Sequence, residues 1–124
     1  MNCFKRAPSI TYDFVSGNTP EERKKYSETL KNKYPDRVPI IIKSNGKNVP
    51  EMDKERYLMP KNLKMSDLVY IIRKKIILDE KHALFVFVNN CLVPMNNTIE
   101  EIYNQYHSED NFLYVIYGTE NTFG

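Results

Sequence analysis

The chain has 124 residues, 41% of them hydrophobic and 27% charged, with 2 Cys and no Trp, which is one domain's worth of polypeptide with enough apolar content for a core. Its apolar runs are far shorter than a membrane span, and Met1-Asn2-Cys3-Phe4-Lys5-Arg6 lacks the apolar stretch of a secretory signal, so a soluble intracellular protein is expected. The net charge of +2 conceals an asymmetry: residues 1–81 hold all 18 Lys and Arg against 11 acids, while residues 82–124 hold 5 acids and no Lys or Arg, and a basic half of this kind suits nucleic acid, anionic lipid or acidic peptides alike.

Residues 1–18 show no sustained periodicity and read as an N-terminal arm closed by Ser16-Gly17-Asn18. Thr19-Pro20-Glu21-Glu22 then places a hydroxyl at an N-cap, proline at the first helical position and a glutamate where a capping box requires one. This predicts a helix to about Tyr34, with Tyr26, Leu30 and Tyr34 as a narrow stripe on a basic cylinder, ended by Pro35. Val38-Pro39-Ile40-Ile41-Ile42 is a β-branched run containing a residue with no N–H, which predicts an edge strand or a proline placed at an edge.

After a turn at Ser44-Asn45-Gly46-Lys47, a second short strand is expected at Arg56–Met59, stopped by Pro60. A helix from about Met65 to Leu78 follows, with Met65, Leu68 or Val69, Ile72 and Ile76 as its core stripe. Ile71 and Leu78 fall outside that stripe, with Leu68 on its border, so the helix carries more apolar surface than one face needs. Leu84–Val88 and Phe112–Tyr117 are continuous apolar strands, of the kind covered on both faces. Between them Thr98-Ile99-Glu100-Glu101 is a second capping box, opening a helical face of Ile99, Ile102, Tyr103 and Tyr106.

The order helix, β, β, helix, β, short helix, β matches an α+β fold, a ubiquitin-like β-grasp with extra N-terminal helices covering the second face of the sheet. The boundaries expected are an arm over 1–18, the ubiquitin-like domain over 19–117 and a flexible tail over 118–124.

No catalytic constellation is present. His82 and His107 lie in different segments, and neither has ligand spacing with Cys3 or Cys91, so no metal or cofactor is expected. The two cysteines are far apart in sequence and are expected as free thiols, Cys91 as a buried one. No phosphate-binding, dinucleotide or nucleophile-elbow motif occurs, and Glu100-Glu101 and Glu109-Asp110 sit on a cap and a turn where solvated acids are ordinary. An enzyme is not expected.

A binding surface is expected instead. An open strand edge lets an extended peptide add by backbone hydrogen bonding while neighbouring pockets select its side chains, and Val38–Ile42 is the candidate edge. One apolar surplus joins the first long helix to it through Leu30, Pro39, Ile41, Leu58 and Phe112; the other uses the spare face of the central helix with Tyr57, Met59, Pro60, Leu63, Leu68 and Ile71. Arg37, Arg56, Arg73 and Lys75 would rim them, which points to a peptide with two apolar anchors and acidic flanks. Each residue alone reads more readily as core than as pocket; their combination with a proline-marked edge carries the expectation.

Lys33-Tyr34-Pro35-Asp36-Arg37-Val38-Pro39, Tyr57-Leu58-Met59-Pro60, Ile72-Arg73-Lys74-Lys75-Ile76, Ala83–Asn90 and Phe112-Leu113-Tyr114, in this order and spacing, resemble the autophagy ubiquitin-like modifiers, the GABARAP and light-chain-three family. The resemblance runs from about Thr19 to Gly124. It implies a modifier whose Gly124 is adenylated, passed through cysteine thioesters on activating and conjugating enzymes, and joined to phosphatidylethanolamine, with Phe123 preceding it and Tyr117–Thr122 as tether. It also implies an aromatic-x-x-aliphatic peptide motif in adaptors and receptors. The aromatic pocket maps onto Leu30, Pro39, Ile41, Arg56, Leu58 and Phe112; the aliphatic pocket maps onto Tyr57, Met59, Pro60, Leu63, Leu68 and Ile71, with Arg37 and Lys75 as basic rim.

Such a protein would divide between cytoplasm and autophagosomal or other organelle membranes. Many members carry residues beyond the glycine that a cysteine protease removes; here the sequence stops at Gly124, either as a conjugation-ready form or as a cut chain. The arm is longer than in GABARAP, and Leu68 and Met59 stand where GABARAP has Phe and Val, so different aliphatic anchors are expected. The alternative reading is an unconjugated trafficking or cytoskeletal adaptor using the same groove. No nucleic-acid partner is expected, because the basic stretches lack interleaved stacking aromatics.

Overall fold

In chain order the elements are α1 (Asp13–Ser16), α2 (Pro20–Lys33), β1 (Arg37–Ser44), β2 (Arg56–Pro60), α3 (Met65–Ile76), β3 (Phe85–Val88), β4 (Cys91–Leu92), α4 (Ile99–Tyr106) and β5 (Leu113–Gly118), in a computed structural model that describes residues 12–119. The strands form one mixed sheet in the order β2-β1-β5-β3-β4. β1 and β5 pair parallel, with Ile40 opposite Leu113, and the other neighbours pair antiparallel. This is the α+β, ubiquitin-like layout expected, with helices on both faces of the sheet.

The two faces are built differently. Val38, Ile40 and Ile42 of β1 and Leu113, Val115 and Tyr117 of β5 point to one side, where Met65, Leu68, Ile72 and Ile76 of α3 and Ile99, Ile102 and Tyr103 of α4 close the principal core. The alternate residues point the other way, as the period of a strand requires. There Ile41 and Phe112 are buried with Phe14 of α1, and Tyr12, Leu30 and Tyr114 pack around them. α2 brings little apolar surface to this second layer: Ser27 is its one buried residue.

Polar bonds hold α2 down instead. Asp110 is buried, and its carboxylate accepts from Arg23 Nε at 3.0 Å, from the Phe112 N–H at 3.0 Å and from the Tyr114 hydroxyl. Ser27 Oγ donates to the Asp110 carbonyl at 2.6 Å. Burial, reinforced by the bond to Asp110, pushes the Tyr114 phenol well above its ordinary range. A single carboxylate thus ties α2 to the entry of β5.

Both expected capping boxes form. The Thr19 and Thr98 hydroxyls accept from the N–H groups of Glu22 at 3.1 Å and Glu101 at 3.2 Å, and each glutamate accepts in return from its cap's N–H. Those returning backbone bonds, with the hydroxyls second, hold Glu22 and Glu101 below the ordinary carboxylate value. α3 ends at Ile76, earlier than expected, because Ile77 turns into the left-handed region at φ 54°, where it stands 88% exposed.

Four expectations need correction. β1 is not an edge: β2 and β5 flank it. Its proline is tolerated because Ile42 N–H donates to Glu55 O at 2.8 Å, which directs the N–H groups of odd-numbered β1 residues away from β2, and the β5 register begins only at Ile40. Pro39 therefore omits a donor where no strand receives one. The last part of the arm is ordered as α1. A fifth strand, β4, appears behind Asn89-Asn90, both at positive φ, as a two-residue hairpin turn demands. Cys91 is disulfide-bonded rather than a free thiol, and Cys3 lies outside the described residues.

Replacing Asp110 by alanine should cost about 3 kcal/mol in urea unfolding, because it strands a nearly buried guanidinium and releases α2. Thr19→Ala should cost about 1 kcal/mol by the same measurement.

Candidate functional site

β2 occupies the margin of the sheet next to β1. Since Glu55, Tyr57 and Met59 face β1 through their backbone groups, Arg56 and Leu58 turn theirs outward, followed by Pro60, which has no N–H to offer. The open edge expected at β1 is thus found one strand over. Arg37, at the start of β1, reaches across it: Nη1 donates to the Leu58 carbonyl at 3.4 Å.

The two faces of β2 carry the two expected patches. On the α2 side, register pairs Pro39 with Leu58 and Ile41 with Arg56, so these four share a face, and Leu30 and Phe112 join Ile41 in the second apolar layer. All six residues expected for an aromatic pocket therefore gather on one side of the edge. Ile41 and Phe112 nonetheless show almost no surface, because Phe14 covers them: its ring lies 4.8 Å from that of Phe112, edge to face. Tyr26 closes the other flank, 6.0 Å from both rings.

On the α3 side, Tyr57 and Met59 of β2 meet Leu63, Leu68 and the rest of the principal core. Leu68 is fully enclosed and Met59 nearly so, because α3 turns Leu68 inward with Met65, Ile72 and Ile76. They form the floor of this patch and offer no surface to a ligand; its half-exposed share is Tyr57 and Leu63, while Ile71 is half-exposed on α3 and Pro60, also half-exposed, falls by alternation on the Leu58 face. Burial, then the charge of Asp53, raises the Tyr57 phenol above its ordinary value, and the hydroxyl donates to the Lys54 carbonyl at 3.0 Å.

The cationic rim is partly as expected. The Lys75 and Lys54 ammonium groups stand 5.8 and 5.1 Å from the Tyr57 ring centroid, and the Arg56 guanidinium lies 5.6 Å from Phe14 and 5.3 Å from Tyr26. Arg73 turns elsewhere, donating from both terminal nitrogens to the His82 carbonyl. Phe14, Tyr26 and Glu55 were not among the expected site residues. Four helical residues show no periodicity, and Tyr26 reads from sequence only as part of a packing stripe. Gly124 and Phe123 lie outside the described residues.

Among the described residues no group of three or more potential ligand side chains could hold a metal ion, and no helix is long and apolar enough to cross a membrane. The arrangement is an open strand edge with an apolar patch on each side.

Comparison with known proteins gives a concordant result. Residues 22–124 match a family model described as "Autophagy protein Atg8 ubiquitin like". The chain is 43% identical over 112 residues to autophagy-related protein 8a of Arabidopsis thaliana, covering 90% of this chain and 92% of that protein. It is 44% identical over 105 residues to autophagy-related protein 8 of Pichia angusta, covering 84% of each. Among solved structures it is similar to Trypanosoma brucei ATG8, with a TM-score of 0.83 and 32% identity over 93% of this chain and 100% of that one.

The division between floor and surface predicts contrasting variants. Leu68→Ala should cost about 3 kcal/mol of unfolding free energy, as a buried leucine does. Lys75→Ala should stay within about 0.5 kcal/mol of wild type.

Proposed function

The chain belongs to the Atg8 family of ubiquitin-like autophagy proteins, and from that membership we propose that it is a modifier joined through Gly124 to phosphatidylethanolamine, which recruits proteins bearing aromatic-x-x-aliphatic motifs to autophagosomal or other organelle membranes. Its partners on this reading are the activating and conjugating enzymes of the pathway, motif-bearing adaptors or receptors, and the membrane itself.

The observation that carries the peptide-binding part is the outer edge of β2. It has outward backbone groups at Arg56 and Leu58 and a separate apolar patch on each face. A peptide strand added there alternates its side chains between the two patches. An aromatic residue enters on the Leu30, Pro39 and Leu58 side, and an aliphatic residue three positions on meets Tyr57, Leu63 and Ile71. Acidic flanks pair with Arg37, Arg56 and Lys75, which steers encounter more than it adds affinity.

In the conjugation step the Gly124 carboxylate attacks the α-phosphorus of ATP, expelling pyrophosphate to form an acyl-adenylate; a cysteine of the activating enzyme takes the acyl group with loss of AMP, and thioester exchange moves it to a cysteine of the conjugating enzyme. The lipid amine then attacks the thioester carbonyl, expelling the thiol and leaving an amide. Glycine suits this chemistry because nothing at Cα obstructs the carbonyl. The residues after Gly118, where β5 ends, serve as the tether.

With activating and conjugating enzymes, ATP and phosphatidylethanolamine liposomes, the protein should yield a faster-migrating lipid adduct and Gly124→Ala should yield none. A wild type without adduct, or a variant with as much, returns the protein to the unconjugated-adaptor reading. Leu58→Ala should weaken an acidic Trp-x-x-Leu peptide by more than about 1 kcal/mol in calorimetric titration, the mark of an anchor contact.

A further inference from the structure

The aromatic side of the groove is already occupied. Phe14 is 5% exposed, and it is buried together with Ile41 and Phe112, two of the six residues gathered there. Its ring makes the edge-to-face contact with Phe112 and lies beneath the Arg56 guanidinium, the environment an incoming aromatic anchor would need.

Besides its ring contacts, Phe14 is held by short-range polar bonds: Asn18 Nδ2 donates to its carbonyl at 2.9 Å, and Arg23 Nη1 donates to the Val15 carbonyl at 3.3 Å. α1 has four residues and no side-chain cap, far below the length at which a helix persists alone. Glu55, immediately before β2, grips it: Oε2 accepts from the Asp13 N–H at 3.0 Å and Oε1 from the Phe14 N–H at 3.1 Å. The same carboxylate pairs with Lys43 at 3.5 Å. Beside this contact runs a cleft of about 540 Å³, lined by Phe14, Tyr26, Lys43, Glu55 and Arg56 among others. The segment is therefore a local unit with few bonds to break and open space next to it, of the kind that detaches without global unfolding.

We propose that α1 is an internal competitor for the aromatic pocket: Phe14 occupies the place of the peptide's aromatic side chain, and binding requires it to leave. This rests on the groove reading given above. On release, Arg56 loses its Phe14 contact and becomes available to an acidic residue of the peptide, and the Glu55 carboxylate is freed of its backbone donors. Affinity is then scaled by the open fraction, since a site competent one time in ten binds tenfold more weakly than its intrinsic constant.

Titration of an acidic Trp-x-x-Leu peptide into the full chain, Phe14→Ala and Glu55→Gln tests this. Phe14→Ala should bind about tenfold more tightly than wild type, and Glu55→Gln should bind more tightly by a smaller factor. Glu55→Gln matters because it loosens the grip while keeping the ring, so its gain cannot come from a newly made cavity, and it decides the question should Phe14→Ala fail to fold. Affinities equal to or weaker than wild type in the folded variants overturn the proposal. Absence of binding by wild type and both variants removes the groove itself, and the competitor with it. In aromatic NMR spectra the Phe14–Phe112 ring contacts should vanish on saturation with peptide; their persistence would also overturn it.

Discussion

The structure turns on a sheet whose central pair is apolar on both faces. Ile41 and Phe112 face away from the principal core, and if left open they would present an adhesive surface to water. A second layer is therefore obligatory. α2 supplies it, yet α2 is a charged helix with a narrow apolar stripe, too little to dock by burial alone. The buried Asp110 resolves the mismatch by binding Arg23 of α2 and the backbone and hydroxyl groups at the start of β5 through one carboxylate. Placement of α2 then determines that a trough lies between it and the outer strand.

Because β1 is interior and β2 is marginal, the outer strand is paired with a neighbour along its whole length. Alternation along β2 puts consecutive residues under different roofs: Arg56 and Leu58 under α2, Tyr57 and Met59 under α3. The two-patch character of the groove is thus a property of strand geometry and needs no dedicated loop. α1 adds something of a different kind, a piece of the chain that fills one of those patches.

The capping boxes at Thr19 and Thr98, the stripe of α3 and the doubly covered strands were legible, since each is written in local spacing. The group Leu30, Pro39, Ile41, Arg56, Leu58 and Phe112 was proposed from family resemblance, and the structure gathers it on one face. What sequence did not disclose depends on pairing. Pro39 looks like an edge marker until the register shows β5 starting one residue later. Leu68 sits on the border of its helical stripe, and packing alone decides that it turns inward. Phe14 gave no signal because a four-residue helix has no period, and its partners Glu55 and Phe112 are distant in sequence. The Asn89-Asn90 turn was a readable hairpin signal, and β4 follows from it.

An open strand edge is also a template on which a second copy of the same chain could pair. β2 has five residues, carries a guanidinium at one end and closes with Pro60 at the other. Two copies meeting margin to margin would find a donor missing at Pro60, where continued pairing needs one. The shortness of the strand and its closing proline thus limit how far sheet pairing can continue past this margin.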